Sequence, residues 1–316
     1  MISTRRFLSA LLVLVLASIA CSADLAGTPT PAPVLTDTPA PTTAAPTAVP
    51  ALSLDQLKNA QVQITGVTDS SKTRTVQLTN GAFLSGSDPA ATDYASVNMG
   101  QQVAFGDLNG DGAPDAAMII GENYGGTGVF VSVVSMLNQG GQPVFGGSAG
   151  VDDRPTINSL AIQDGEILLD AVVHGPNDPG CCAAQPVKET MRMWSGRLVL
   201  THYTSTIPDG TERIIKIDAP ASGSVVSGPF TVNGSVTIAP FENNLAYSVF
   251  LEGTPDPVAQ SAIIVNAPAP GGPGTFQLPL DFTAAGIKGK LRIEISDLSA
   301  ADGSYLAMDT LFVTVK

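Results

Sequence analysis

GPFTVNGSVTIAPFENNLAYSVFLEG, residues 228–253, is the stretch whose reading decides the fold. Two short runs, Phe230 to Val236 and Ala246 to Leu251, are rich in β-branched and aromatic residues and are bounded by Gly, Pro and Asn, as strands are. Runs of the same kind recur on either side, at Ile214 to Ile217, Ala262 to Val265, Phe276 to Phe282, Leu291 to Ile295 and Leu311 to Val315. Seven short strands in about a hundred residues predict a β-sandwich over residues 212–316. This segment contains no cysteine, so apolar burial alone must hold it together. Phe241 is expected to plug the sandwich, with Glu242, Asn243 and Asn244 fixing a crossover loop in a structural role.

Upstream, the polar break Ile207-Pro208-Asp209-Gly210-Thr211 separates this sandwich from a first folded domain, residues 51–205. A chain of 316 residues has room for two domains once its low-complexity stretch is set aside. The first begins with a short helix at 53–60, N-capped by Ser53, with Leu54 and Leu57 on one face. Asn80-Gly81 predicts a tight turn after Val76-Gln77-Leu78, because both central residues accept positive φ. Strand runs follow at Ala116 to Ile120, Val129 to Leu137, Glu166 to Val173 and Leu198 to Tyr203. The expectation is a mainly β chain: a mixed α+β first domain with an antiparallel sheet, then the sandwich.

The sharpest chemical pattern is Asp107-Leu108-Asn109-Gly110-Asp111-Gly112-Ala113-Pro114-Asp115. Oxygen ligands recur at every second residue, and calcium takes six to eight hard oxygens. Asp107, Asn109, Asp111 and Asp115, with the Ala113 carbonyl, form the expected calcium set, and Gly112 permits the bend. An EF-hand places a Glu eleven residues after its first Asp, whereas Met118 stands there. The loop is instead similar to the short calcium hairpins of integrin-type FG-GAP repeats. The motif occurs once, so no propeller is predicted. The ion's expected role is structural.

Cys181 and Cys182 are adjacent in His174-Gly175-Pro176-Asn177-Asp178-Pro179-Gly180-Cys181-Cys182. Three readings are open: a vicinal disulfide, reduced structural thiols, or a soft-metal site for copper or zinc shared with His174. An oxidising compartment favours the disulfide. Glu122 to Gly128 is glycine-rich but lacks the GxGxxG fingerprint and reads as a turn. His174 and His202 are the two histidines, and neither has a sequence neighbourhood that suggests a nucleophile and base; no H-E-x-x-H occurs. A non-enzymatic protein is expected.

The N-terminus supplies an address. Residues 1–21, MISTRRFLSALLVLVLASIAC, combine Arg5 and Arg6, an apolar run from Phe7 to Leu16 and small residues before Cys21, which is the composition of a signal peptide. The apolar run is too short to span a bilayer, which needs about 20 residues. Ser18-Ile19-Ala20-Cys21 resembles a lipobox, although Ser18 stands where an aliphatic residue is usual, and the resemblance implies a lipid on Cys21. Residues 22–50 carry seven prolines among Thr and Ala, a disordered tether that extends about 3.1 Å per residue. Net charge is −13, and −15 once the two leader arginines are lost, which argues against nucleic acid as a partner.

Two family resemblances complete the reading. GDLNGDGAPDAAMIIGENYGGTGVF, LNQGGQPV and HGPNDPGCC, spanning roughly residues 105 to 185, succeed one another as in the LppP/LprE family of bacterial lipoproteins. Ile217-Asp218-Ala219-Pro220, Ser227-Gly228-Pro229-Phe230, Val232-Asn233-Gly234, Pro240 to Leu245 and Asp302-Gly303-Ser304 resemble the immunoglobulin-like domain of bacterial spore-germination proteins. The first resemblance implies an exported envelope protein and the second an adhesion or interaction module; with the leader and Cys21, the expectation is a chain lipid-anchored to the outer face of a bacterial membrane. It would act as a calcium-stabilised binding or scaffolding module for an unknown envelope protein or polysaccharide. The alternative is an exported enzyme or transition-metal-handling protein using His174 with Cys181 and Cys182.

Overall fold

The computed structural model describes residues 49–66 and 69–316; the leader with Cys21, and the tether up to residue 48, lie outside them. The chain runs α1 (Leu54–Lys58), β1 (Gln61–Gly66), β2 (Asp69–Gln77), β3 (Ala82–Ser85), β4 (Ala95–Gly106), β5 (Asp115–Asn123), β6 (Phe130–Gln139) and β7 (Gln142–Asp153). Then follow β8 (Thr156–Gln163), β9 (Glu166–Val173), β10 (Gln185–Trp194), β11 (Arg197–Thr206) and β12 (Glu212–Arg213). The last part holds β13 (Ile215–Ala219), β14 (Ser224–Val226), β15 (Phe230–Val236), β16 (Asn244–Leu251), β17 (Pro257–Asn266), β18 (Gly274–Leu280), β19 (Gly289–Leu298) and β20 (Tyr305–Val315). The architecture is mainly β and almost wholly antiparallel, with β14 beside β20 the parallel pair among the described strands. No helix among the described residues is long and apolar enough to cross a membrane.

In the first part a five-stranded sheet, ordered β3-β4-β5-β6-β7, is covered on both faces. Its central strand explains why Ala116 to Ile120 reads as an unbroken apolar run rather than an alternating one. Ala116, Met118 and Ile120 face a core with Leu57, Val62, Ile64, Val76 and Leu78 from α1, β1 and β2. Ala117 and Ile119 face a second core with Ile167, Leu169, Ala171, Val187 and Met191 from β9 and β10. The helix α1 has the expected Ser53 cap, a reciprocal capping box with Gln56. Only Leu57 of its expected apolar pair is buried; Leu54 is 44% exposed, and Leu52 before the cap enters the core in its place. Asn80-Gly81 makes the expected turn with both residues at positive φ. The turn closes a single bridge, Thr79 to Ala82, because β2 pairs with β1 and β3 with β4.

From β13 onward a sandwich forms, β13-β15-β18 facing β17-β16-β19-β20, with β14 alongside β20 in parallel. Its core is built from Val232, Leu245, Val249, Phe276, Leu278, Leu291, Ile293 and Leu311, all buried. Gly234 lies mid-strand in β15 because a Cβ there would collide with the Phe276 ring and the Lys216 carbonyl. Phe241 does not plug this sandwich: it is 72% exposed. Glu242 and Asn243 follow it at φ of 54° and 57°, a tight turn that carries the Phe241 ring outward, and Phe276 fills the centre instead. Backbone bonds hold that crossover turn, Asn243 N to Pro240 O at 3.0 Å among them.

The path of hydrogen-bonded strands continues from β20 to β11 and on through β10 and β9 to β8. The join is two residue pairs, His202 opposite Asp309 and Tyr203 opposite Met308. Ser205 Oγ adds a bond to the Leu306 carbonyl at 2.6 Å, and Arg213 pairs with the buried Asp297 at 2.6 Å. Residues 47–316 therefore form one compact unit.

Candidate functional site

The loop between β4 and β5 is organised by its own carboxylates. Asp107 Oδ1 accepts the N–H groups of Asn109 and Gly110 at 3.2 and 2.7 Å, and its Oδ2 accepts that of Gly112 at 2.8 Å. Asn109 Oδ1 accepts from Asp111 N at 2.9 Å, and Asp111 Oδ1 from Ala113 N at 2.8 Å, so side-chain turns succeed one another at every second residue. Gly110 and Gly112 take φ of 79° and 84°, conformations that favour glycine. Slight burial pulls the Asp107 carboxyl upward, but four backbone N–H groups outweigh it, so its pKa lies below the ordinary value.

Asp115 sits beneath the loop, fully buried. Its Oδ2 accepts from Leu108 N at 2.8 Å and its Oδ1 from Asn138 N at 2.7 Å, which clamps the loop to the end of β6. Burial raises its pKa, and these two N–H groups offset only part of that rise. Asn138 extends the clamp: its amide donates to the carbonyls of Pro50 and Pro114, and its Oδ1 accepts from Gly141 N. Sequence reading passed over Asn138, whose only signal is its place before Gly140-Gly141. Of the expected calcium set, Asp107, Asn109 and Asp111 lie on the open side of the loop, whereas Ala113 and Asp115 face inward. Among the described residues, no three His, Cys, Asp or Glu side chains gather as a metal-holding group.

The second candidate, the loop after β9, separates into two parts. His174 Nδ1 stands 2.8 Å from Asp152 Oδ2, the same oxygen that accepts the His174 backbone N–H, and its Nε2 is buried without a hydrogen-bond partner. Cys181 and Cys182 are exposed and bonded to each other, with Sγ atoms 2.33 Å apart. Asp178 Oδ2 ties the loop base through Gly175 N and Ala184 N, and Arg154 caps the Gly180 carbonyl at 2.6 Å. The histidine faces inward to its aspartate and the cysteines face outward to solvent, so the structure does not assemble the three as one ligand set. His202 is likewise turned to an aspartate, Asp309, at 3.4 Å.

Sequence reading also missed a buried carboxyl in β10. Glu189 is 4% exposed and stands opposite Leu169 on one side and Tyr203 on the other. Burial, reinforced by the charge of Asp152, pushes its pKa up to about 8. Its position between Lys188 and Thr190 in a mixed polar run gave no hint of the inward turn.

Residues 214–304 match the family described as the immunoglobulin-like domain of bacterial spore germination. The match covers the sandwich from β13 to the approach of β20 and includes the exposed Phe241 turn. No curated protein matches the chain.

Proposed function

We propose that this chain is an exported cell-envelope lipoprotein, held to a membrane by a lipid on Cys21 and acting as a non-catalytic binding or scaffolding module. The observation that carries the reading is the match of residues 214–304 to the immunoglobulin-like germination domain. The resemblance of residues 105 to 185 to LppP/LprE lipoproteins and the leader-plus-tether composition of residues 1–50 support it. In this reading residues 22–50 act as a spacer of roughly 90 Å at full extension, and residues 51–205 and 212–316 are the two presented domains. Calcium stiffens the Asp107 loop: Asp107 Oδ2, the Asn109 amide oxygen and the two Asp111 oxygens each accept one N–H and keep a second lone pair for an ion, while Asp107 Oδ1 already accepts two.

The test is a pull-down from native bacterial envelopes with the tagged full-length chain, alongside fractionation of a Cys21→Ser variant. Specific capture of an envelope component, and release of the variant from membranes, are the expected results. A variant that stays in the membrane fraction removes the anchor, and turnover of substrate by the purified chain removes the non-catalytic reading.

A further inference from the structure

Two clefts adjoin at the tip of the β10–β11 hairpin. The first, 720 Å³, lies beneath three turns: the Asp107 loop, the Asp164-Gly165 turn and the Ser195-Gly196 turn. The second, 570 Å³, continues on the other side of the hairpin, where Trp194 meets Glu252, Lys290 and Phe312 of the sandwich. Arg192, Met193 and Ser195 line both, so the two are neighbouring compartments of one groove. Each volume is within the range of ordinary ligand sites, about 300–1,000 Å³.

The chemistry of the walls is specific. Arg192 lies 4.9 Å over the Phe312 ring, and no carboxylate is within ion-pair distance of it among the described residues. Asp164, on the opposite turn, likewise has no hydrogen-bond or ion-pair partner there. A cation and an anion thus line one cleft without pairing, which leaves one donor fork and one acceptor pair open. Hydroxyl groups satisfy both, accepting from guanidinium and donating to carboxylate. Half-buried Leu137, Ile162 and Met193 give the same cleft an apolar floor, suited to the C–H faces of sugar rings. In the second cleft the partly exposed Trp194 offers a ring for stacking.

We propose that this groove binds a neutral glycan chain, running from the Asp107 loop past Arg192 to Trp194. The proposal rests on the binding-module reading and gives that module a ligand class. A polyanion is disfavoured, because Asp164 and Glu252 line the groove and the chain as a whole carries −13. A peptide added as a strand is disfavoured too, because β10 is already paired on both sides, with β9 and β11, and offers no free edge.

Trp194 is the single tryptophan of the chain, so its emission reports on the groove directly. The full-length chain is titrated with oligosaccharides of laminarin, mannan, dextran and galactan, with alginate and an unstructured casein digest as the polyanion and peptide arms. The expected result is a saturable emission change with at least one neutral glycan. Arg192→Gln and Asp164→Asn should each weaken it at least tenfold; Asp164→Asn, on an exposed turn, should do so at unchanged melting temperature, whereas Arg192→Gln also gives up the contact with Phe312 and should lower the melting temperature slightly. A response to alginate or peptide alone overturns the proposal, as does a glycan response that survives both substitutions. A glycan-free protein captured specifically from envelopes, with no emission change from any of the four glycans, removes the glycan proposal and leaves the binding-module reading standing.

Discussion

Glu189 is the residue at which stability and pH meet. Its carboxyl lies on the inner face of β10 with Val187 and Met191, and its neighbours there are apolar apart from Tyr203 and the charge of Asp152. An unfolded glutamate titrates near its ordinary value, 4.5, whereas the folded one holds its proton up to about 8. Between those values the native state binds more protons than the unfolded one, so its stability falls as pH rises through that window and the contribution is lost above about 8. The melting temperature should therefore decline from pH 5 to pH 8. Glu189→Gln keeps the shape without the ionisable group; it should flatten that decline and raise the melting temperature at pH 8 by roughly 5 °C. Scanning calorimetry of both forms at four pH values checks this, and parallel slopes would exclude Glu189 as the cause. Asp115, whose pKa burial also raises, differs in having partners: its two oxygens are occupied by the N–H groups of Leu108 and Asn138. Asp115→Ala leaves both donors buried and unpaired, at a cost of about 2–4 kcal/mol. Urea unfolding reads that cost, and Asp115→Asn, which keeps one acceptor, should lose less.

At the scale of elements, the Asp107 loop is a turn that already closes through its own N–H bonds, so an ion would stiffen it rather than create it. If calcium binds there, a chelator should lower the melting temperature of the purified chain by a few degrees. Asp107→Asn should abolish that difference; an unchanged melting temperature in chelator removes the ion from the account. This loop was legible in sequence because its bonds run between residues two to five apart. Glu166 to Val173 and Phe230 to Val236 were legible because each is a local run rich in β-branched and apolar residues, and each became a strand with those bounds, β9 and β15. The strands β7 and β10 were not, since QPVFGGSAGVDD and QPVKETMRMW mix glycine, proline and charge, and their extended form comes from pairing with neighbours. The clamp on Asp115 was invisible because Asn138 meets it across 23 positions. The groove was invisible for the same reason in stronger form, with Arg192 and Phe312 brought together only by the packing of the hairpin on the sandwich. Phe241 shows the converse error, a large aromatic assigned to the core by its type and turned outward by two residues at positive φ.

At the scale of the whole molecule, the decisive feature is that β20 serves two cores. Leu311 and Val313 point into the sandwich, while Met308, on the same strand, is fully buried against Ile167, Leu169 and Tyr203 of the first part. A stack of side chains strengthens the join: Arg192 over Phe312 at 4.9 Å, Trp194 beside Phe312 at 6.4 Å, and Arg292 over Trp194 at 5.5 Å. Such contacts contribute about 0.5–2 kcal/mol each where desolvated. With a shared strand, a shared core residue and this stack, the two parts should unfold together, as one calorimetric transition. Met308→Ala removes the side chain that the sandwich's last strand contributes to the first core, which typically costs about 2–5 kcal/mol for a fully buried methionine. Because the sandwich keeps its own core of Phe276, Leu291, Ile293 and Leu311, that loss should fall on the first part and on the coupling, and the single transition should split in two. Leu291→Ala, buried only in the sandwich core, should lower the melting temperature without splitting it. If Met308→Ala shifts one transition as a whole, β20 holds the parts together by its backbone pairs and the aromatic stack, and the shared core residue is not what couples them.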